Sequence, residues 1–260
     1  MILCLDVGNT RIKLALVEEG RVIAGETVTT PGKRRDADLE LAIRRVSSAV
    51  LALDGVVFSS VVPEAAPGVA ESITIATGMR PSAVTHRSVF PFELEVPEPE
   101  RVGVDRLCAA AGAVPGKRRN AIIVDAGTAV TVDVVRDGQF LGGLILPGPA
   151  IALAALATTS QLPLVTDRLI DAAPDRFDST EPSMILGALA SVTGGIREAV
   201  RYLESRVGTV SHRVLTGGLS ERLLPQLSSG WQHAPDLTLV GLGRIARLNG
   251  IPRPPEGEEP

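Results

Sequence analysis

Residues 5–25 read LDVGNTRIKLALVEEGRVIAG, and residues 124–143 repeat the pattern as VDAGTAVTVDVVRDGQFLGG. Once one residue is dropped from the second copy, the aligned positions are Asp6 with Asp125, Gly8 with Gly127, Thr10 with Thr128, Gly20 with Gly138 and Gly25 with Gly143. Each copy predicts an apolar strand, an Asp-x-Gly turn, a second strand, an acidic-Gly hairpin turn and a third strand. A repeat at this spacing indicates an internal duplication, whereas a chance match of short strands is the alternative.

The segments around the two copies predict helices, so the fold class is α/β with two similar halves and mixed sheets flanked by helices. Apolar residues recur at helical spacing within residues 39–53 and within residues 181–206. The stretch AVPGKRRN at residues 113–120 is typical of a surface connection. We therefore place the N-terminal half at 1–115, the C-terminal half at 116–250 and a disordered Pro- and Glu-rich tail at 251–260.

Composition excludes several classes of function. Aromatic residues make up 3% of the chain and the net charge is −4, so the sequence predicts no nucleic-acid partner. The apolar segments are too short for a bilayer, and the N-terminus does not resemble a signal peptide, so we expect no membrane association and a cytoplasmic location. The three histidines are scattered and the two cysteines lack a CxxC partner, which disfavours a zinc site.

The first Asp-x-Gly turn has the residue types of a phosphate loop. The candidate nucleotide-binding residues are Asp6, Val7, Gly8, Asn9, Thr10, Arg11, Ile12 and Lys13. A glycine at a tight turn lets backbone N–H groups approach phosphate oxygens, and a carboxylate at the strand end suits hydrated Mg²⁺. An ordinary hairpin with a glycine turn is the alternative.

The second copy places Asp125 and Thr128 at equivalent positions, and we expect the two turns to face each other across a cleft. This arrangement resembles the actin/hexokinase/Hsp70-like superfamily, whose ribonuclease-H-like halves hold ATP between two phosphate loops. Thr216-Gly217-Gly218 is similar to that superfamily's adenosine motif. The GxxxxGK[ST] and protein-kinase motifs are not in the sequence.

Gly103, Val104, Asp105 and Arg106 lie between the two loops in the sequence and allow two interpretations. They can be a loop entering an Ala-rich helix, with Asp105 at the positive helix end. Alternatively, Asp105 accepts the proton of a substrate hydroxyl and Arg106 binds an anionic substrate group.

Eight motifs in order resemble type III pantothenate kinases over nearly the whole chain. Those motifs are DVGNT at 6–10, SVVP at 60–63, GVDR at 103–106, VDAGTAVTVD at 124–133, LGGLILPG at 141–148, ST at 179–180, TGG at 216–218 and LTLVGL at 237–242. The resemblance implies ATP-dependent phosphorylation of pantothenate to phosphopantothenate, the first step of coenzyme A biosynthesis.

The resemblance also implies roles for individual residues. Asp6 to Lys13 and Thr128 hold ATP, Asp105 is the general base, and Gly103 to Arg106 together with Thr180 contact pantothenate. Asp125 binds a monovalent cation, K⁺ or NH₄⁺, in place of Mg²⁺. Family members are homodimers, and the long apolar-faced helix at 181–206 is a candidate for the interface.

Two other functions are compatible with the sequence. One is a kinase of the same superfamily acting on another small hydroxylated substrate, and the other is a non-catalytic ATP-binding accessory factor. Many relatives carry a tyrosine just before GxDR, where this chain has Phe92 and Val96, and an aromatic pair where it has Leu189 and Ala190. We therefore expect the shape of the pantothenate pocket to differ from that of those relatives.

Overall fold

The computed structural model describes residues 1–31, 36–115, 119–159, 161–165 and 175–251. The chain forms two compact units. The first comprises Met1–Arg119, Gly138–Phe140 and the residues from Asp236 onward, and the second comprises Asn120–Asp137 and Leu141–Pro235. Apart from Ile251, the tail predicted to be disordered lies outside the described residues.

The described residues form strands, α-helices and short 3₁₀ segments. The strands are β1 (Ile2–Val7), β2 (Arg11–Glu18), β3 (Arg21–Thr29), β4 (Gly55–Ser60), β5 (Ser82–Ala83), β6 (Glu93–Leu94), β7 (Ala121–Ala126), β8 (Ala129–Arg136), β9 (Gln139–Pro147), β10 (Arg213–Thr216) and β11 (Trp231–His233). The α-helices are α1 (Ala37–Ser47), α2 (Ala66–Thr77), α3 (Val104–Ala113), α4 (Pro149–Thr159), α5 (Thr180–Val207), α6 (Ser220–Leu223) and α7 (Leu237–Leu248). Short 3₁₀ segments occupy Pro99–Arg101 and Leu224–Gln226.

The two sheets repeat one topology, which confirms the predicted duplication. The first has the strand order β3-β2-β1-β4-β5, and the second has the order β11-β10-β7-β8-β9 with β6 added beside β9. The central strand of each is antiparallel to the next strand in sequence and parallel to the fourth. The first three strands have 6, 8 and 9 residues in both copies.

The hairpin turns of the two copies also agree in backbone conformation. Glu19 and Gly20 have φ of 48° and 80°, and Asp137 and Gly138 have φ of 52° and 81°. Positive φ at both central residues is the type I′ geometry that suits the twist of a two-residue hairpin. The acidic-Gly pairs seen in the sequence therefore have the predicted structural role.

Helix α7 explains why the compact units differ from the predicted halves at the C-terminal end. It packs on α3 and on β1, β2 and β4, all within the first unit, although its sequence follows the second copy. The exact boundary between the duplicated halves remains a prediction.

Helix α5 spans the segment predicted to be helical, and its apolar face is buried within its own unit. Residues along this face, including Ile185, Leu189, Val192 and Ile196, are buried in the core of the second unit against β7 and β8. An amphipathic stripe indicates that a face is covered and not which element covers it. A contribution of α5 to a dimer interface stays a prediction.

Among the helices in the described ranges, we find none with the length and apolar character needed to cross a membrane.

Candidate active site

The first phosphate-loop candidate is the turn between β1 and β2. The Gly8 N–H donates to the Arg11 carbonyl (3.1 Å), and the Thr30 hydroxyl donates to the Gly8 carbonyl (2.7 Å). The Thr30 N–H also donates to the Thr10 carbonyl (3.0 Å). Thr30, at the end of β3, was not recognised in the sequence, yet it fixes the turn from the side.

The predicted nucleotide-binding residues of this turn differ in exposure. Asn9, Thr10 and Arg11 are exposed, and Asp6, Gly8 and Lys13 are half-buried. The side chains of Val7 and Ile12 are fully buried in the core, so only their backbone atoms are placed to meet a ligand. The structure thus brings the polar members of the loop to one accessible turn.

Asp6 pairs in register with Lys13 on β2 and with Ser59 on β4. The Ser59 hydroxyl donates to Asp6 Oδ1 at 3.0 Å. Ser59 is 1% exposed, so this hydrogen bond is shielded from bulk water on the serine side. Ser59 lies directly before the SVVP motif at 60–63, and nothing in the sequence signals its contact with Asp6.

Asp105 is the second residue of α3, after the N-cap Gly103. Its Oδ1 accepts a hydrogen bond from the Arg106 N–H at 2.8 Å. The structural interpretation of this segment is confirmed, because Asp105 lies in the first turn of a helix. Asp105 and Arg106 are both half-buried, and their functional roles stay a prediction.

Burial raises the pKa of the Asp105 carboxyl above its usual range, and the hydrogen bond and charge of Arg106 act against that rise. A raised pKa makes a carboxylate a stronger proton acceptor.

Asp6 and Asp105 share a neighbour within the first unit. Burial raises the pKa of the Cys108 thiol, and the negative charges of Asp6 and Asp105 raise it further. Both carboxylates therefore lie within electrostatic reach of one buried thiol. The candidate phosphate loop and the candidate base therefore belong to the same unit.

In the second unit, Asp125 and Thr128 occupy positions equivalent to those in the first loop. The Gly127 N–H donates to the Ala129 carbonyl (3.0 Å), and Thr128 is exposed. The Gly148 N–H donates to the Thr128 carbonyl (3.1 Å), which gives the LGGLILPG motif a structural role in bracing this turn.

Gly217 of the TGG motif closes around Asp125. It has φ of +91°, and a Cβ there would overlap Asp125 Oδ1 and lie 2.5 Å from the Ala126 carbonyl oxygen. Only glycine fits this conformation and this close approach. The Asp125 carboxylate and the Ala126 carbonyl therefore each place an oxygen atom beside Gly217.

Thr180 begins α5 and lines an open groove of about 520 Å³. The groove residues are Gln161, Leu162, Pro163, Ser179, Thr180, Glu181 and Pro182. Its mixture of apolar and polar side chains suits a small polar molecule with an aliphatic body.

Phe92, near the position where many relatives carry a tyrosine, belongs to an aromatic stack. Its ring lies 5.6 Å from that of Phe90 and 5.8 Å from that of Phe140. Phe92 is 7% exposed, and Leu189 is equally part of a core. These side chains stabilise packing, so the aromatic contacts typical of the pantothenate pocket are not supplied from these two positions.

The family model described as type III pantothenate kinase matches residues 2–202. The chain belongs to the type III pantothenate kinase family.

Relatives of the family match over nearly full length. The type III pantothenate kinase of Geobacter sulfurreducens is 32% identical over 256 residues, which cover 96% of this chain and 99% of that protein. The enzyme of Herminiimonas arsenicoxydans is 31% identical over 260 residues, with 95% and 97% covered. The predicted function, phosphorylation of pantothenate by ATP in coenzyme A biosynthesis, is confirmed at the level of the family.

Solved structures agree on the fold. A Baf family protein from Campylobacter jejuni superposes with a TM-score of 0.60 at 19% identity, covering 95% of this chain and 98% of that one. A protein from Listeria monocytogenes described as an N-acetylmannosamine kinase gives a TM-score of 0.52 at 14% identity, with 95% and 98% covered. These identities bear on the fold alone, and they confirm the predicted α/β kinase architecture.

Helix α7, residues 237–248, lies beyond the segment matched by the family model. Its Gly241 packs directly against the Cys108 carbonyl of α3, and the Arg244 guanidinium donates to the Ala111 carbonyl at the end of α3. Helix α7 therefore packs against the helix whose first turn contains Asp105.

Proposed function

We propose that this chain transfers the γ-phosphoryl group of ATP to the primary hydroxyl of pantothenate, with Asp105 as the general base. The observation that carries the proposal is the position of Asp105, a half-buried carboxylate in the first turn of α3. Its negative charge and that of Asp6 both act on the Cys108 thiol. In the reaction the hydroxyl proton passes to Asp105, the oxygen bonds to the γ-phosphorus, and the bond to ADP breaks.

The nucleotide is assigned to the two turns. In this proposal Asp6, Gly8 to Arg11 and Lys13 contact ATP through side chains and loop amides, and Val7 and Ile12 contribute backbone atoms only. Thr128, exposed on the equivalent turn of the second copy, also contacts ATP. Backbone amides and a lysine charge stabilise phosphate oxygens without proton transfer.

Pantothenate is assigned to residues around Asp105 and to the groove at Thr180. Arg106 is suited to the pantothenate carboxylate, because a guanidinium binds a carboxylate with two parallel hydrogen bonds. Gly103 and Val104 supply backbone at the start of α3, and Thr180 supplies a hydroxyl at the groove.

The implied cations fit the donors that the chain offers. Mg²⁺ prefers one or two carboxylates together with phosphate oxygens and water, and Asp6 is a half-buried carboxylate beside the first loop. Asp125 with the Ala126 carbonyl offers the hard oxygen atoms that K⁺ or NH₄⁺ accepts. A bound Mg²⁺ would neutralise phosphate charge during transfer.

A homodimer in the cytoplasm completes the proposal. Helix α4 is apolar around its whole circumference and leaves Ile151 and Leu156 exposed, at 42% and 40%. Phe177, in the same unit, is 79% exposed. Exposed apolar side chains of this size are typical of association surfaces. Sedimentation velocity tests directly whether the protein is a dimer.

The acid limb of the pH–rate profile should report Asp105. Because the base must be ionised and burial raises its pKa, kcat/KM should fall with decreasing pH at values above the ordinary aspartate pKa of about 3.9. Initial rates from pH 4 to 9 measure this. An acid limb at or below about pH 4 would contradict the assigned electrostatic role.

A coupled assay of ADP release over a panel of small alcohols and hydroxy acids, with and without K⁺, tests the substrate. Pantothenate should stimulate ADP release far above the other compounds, and K⁺ should increase the rate. Equal stimulation by an unrelated alcohol would favour a different kinase, and ATP binding without any turnover would favour an accessory factor.

A further inference from the structure

Ser59 is a buried hydroxyl placed against the carboxylate of the first phosphate loop. Its Oγ donates to Asp6 Oδ1 at 3.0 Å, and the two residues are direct neighbours on the parallel strands β4 and β1. A hydroxyl that donates to a carboxylate fixes the rotamer of that carboxylate and the direction of its remaining lone pairs.

The strand that carries Ser59 also packs against helix α3. The negative charges of Asp6 and Asp105 both act on the buried Cys108 thiol of that helix. The Ser59 hydroxyl has a single proton, and it is donated to Asp6.

Cys108 lies one helical turn after Asp105, and α7 contacts α3 at the same residue. A Cβ at Gly241 would overlap the Cys108 carbonyl oxygen, which means that the backbones of the two helices touch there. Strand β4, with Ser59, therefore packs on a helix that is itself held in place by α7.

The second copy of the fold provides an internal comparison. The residue equivalent to Ser59 is Thr216, which pairs in register with Asp125. Its hydroxyl donates to the Pro235 carbonyl at 3.3 Å. The strand topology alone thus does not dictate a hydroxyl–carboxylate bond at this position, and the bond to Asp6 is a feature of the first copy.

We propose that Ser59 is a positioning residue for Asp6. Ser59 would hold the Asp6 carboxylate in the orientation needed for the phosphate-bound Mg²⁺ of MgATP. This inference rests on the proposed function, because it assigns Asp6 to the nucleotide.

The decisive variant is Ser59→Ala. Loss of such a supporting hydrogen bond typically costs 10–100-fold in metal affinity or activity. We expect kcat/KM for MgATP to fall about 10–100-fold, with a higher Mg²⁺ concentration at half-maximal rate and an unchanged KM for pantothenate. The thermal shift produced by MgATP should shrink in parallel, and Ser59→Thr, which keeps the hydroxyl, should restore most of both signals.

Ser72→Ala is the matched control in the same unit. Ser72 is 0% exposed and its Oγ accepts from the Asp36 N–H, away from Asp6. If Ser59→Ala and Ser72→Ala lose stability alike and both keep wild-type Mg²⁺ dependence and MgATP thermal shifts, the inference is wrong. Failure of the proposed function is distinct, because the wild type itself would then form no ADP with pantothenate.

Discussion

Asp105→Asn should lower kcat by about 10²–10⁴-fold, the contribution of a positioned general base, while MgATP binds as in the wild type. The amide keeps an oxygen that can accept from the Arg106 N–H, so the start of α3 keeps its hydrogen bond. Initial rates measure the loss, and calorimetric titration with MgATP measures binding.

The pH dependence of the stability of Asp105→Asn tests the raised pKa of Asp105 independently of activity. The pKa of Asp105 is raised in the folded state, so ionisation of its carboxyl costs folding free energy, and that cost develops as pH rises from the unfolded-state pKa through the folded-state pKa. Asp105→Asn removes the cost. We therefore expect the free energy of unfolding of Asp105→Asn, relative to the wild type, to increase with pH over this window.

Asp38→Asn is the control for helix position. Asp38 is also the second residue of its helix, α1, but it is exposed. It should change neither the rate nor the affinity for MgATP. A turnover near the wild-type value in Asp105→Asn would contradict the assignment of the base.

Gly241→Ala should give the largest loss of stability among single methyl additions in the first unit. A Cβ at this position would overlap the Cys108 carbonyl oxygen and lie 2.9 Å from the Gly112 nitrogen, and both are backbone atoms that cannot rotate away. Overpacking of this kind costs about 3 kcal/mol. For a chain of this size that corresponds to a fall in Tm of roughly 6–12 °C.

Gly194→Ala is the opposite control. Gly194 lies within α5, and nothing is within 4 Å of the Cβ position. Alanine there should raise stability by up to about 1 kcal/mol through helix propensity. Differential scanning calorimetry of both variants measures the contrast, and equal Tm values for the two would contradict the close α3–α7 contact.

Local patterns in the sequence were sufficient for much of the fold. Strand alternation and hairpin turns are signals between near neighbours in the chain, as at Val130, Val132 and Val134 and at Glu19-Gly20 and Asp137-Gly138. The five repeated positions show that the same local pattern occurs twice. They predicted hairpins and a duplication, and the sheets have that topology. Asp105 could be singled out as well, because an acidic residue at a helix start has a local signal.

The contacts that support the site could not be predicted, because they join residues far apart in the chain. Ser59 and Asp6 are 53 positions apart, and Arg244 and Ala111 are 133 apart. A serine in a buried strand or a glycine in a helix gives no sign of its partner until the strands and helices are packed. The apolar stripe of α5 likewise predicted a covered face, but not that strands of its own unit cover it.

Identification of the reaction product tests the central claim most directly. The wild-type chain is incubated with ATP, Mg²⁺, K⁺ and pantothenate, and the products are analysed by mass spectrometry and ³¹P NMR, with Asp105→Asn in parallel. We expect phosphopantothenate and ADP in equal amounts from the wild type and a rate lower by about 10²–10⁴-fold from the variant. A folded wild type that binds MgATP but yields no phosphorylated pantothenate would contradict the account.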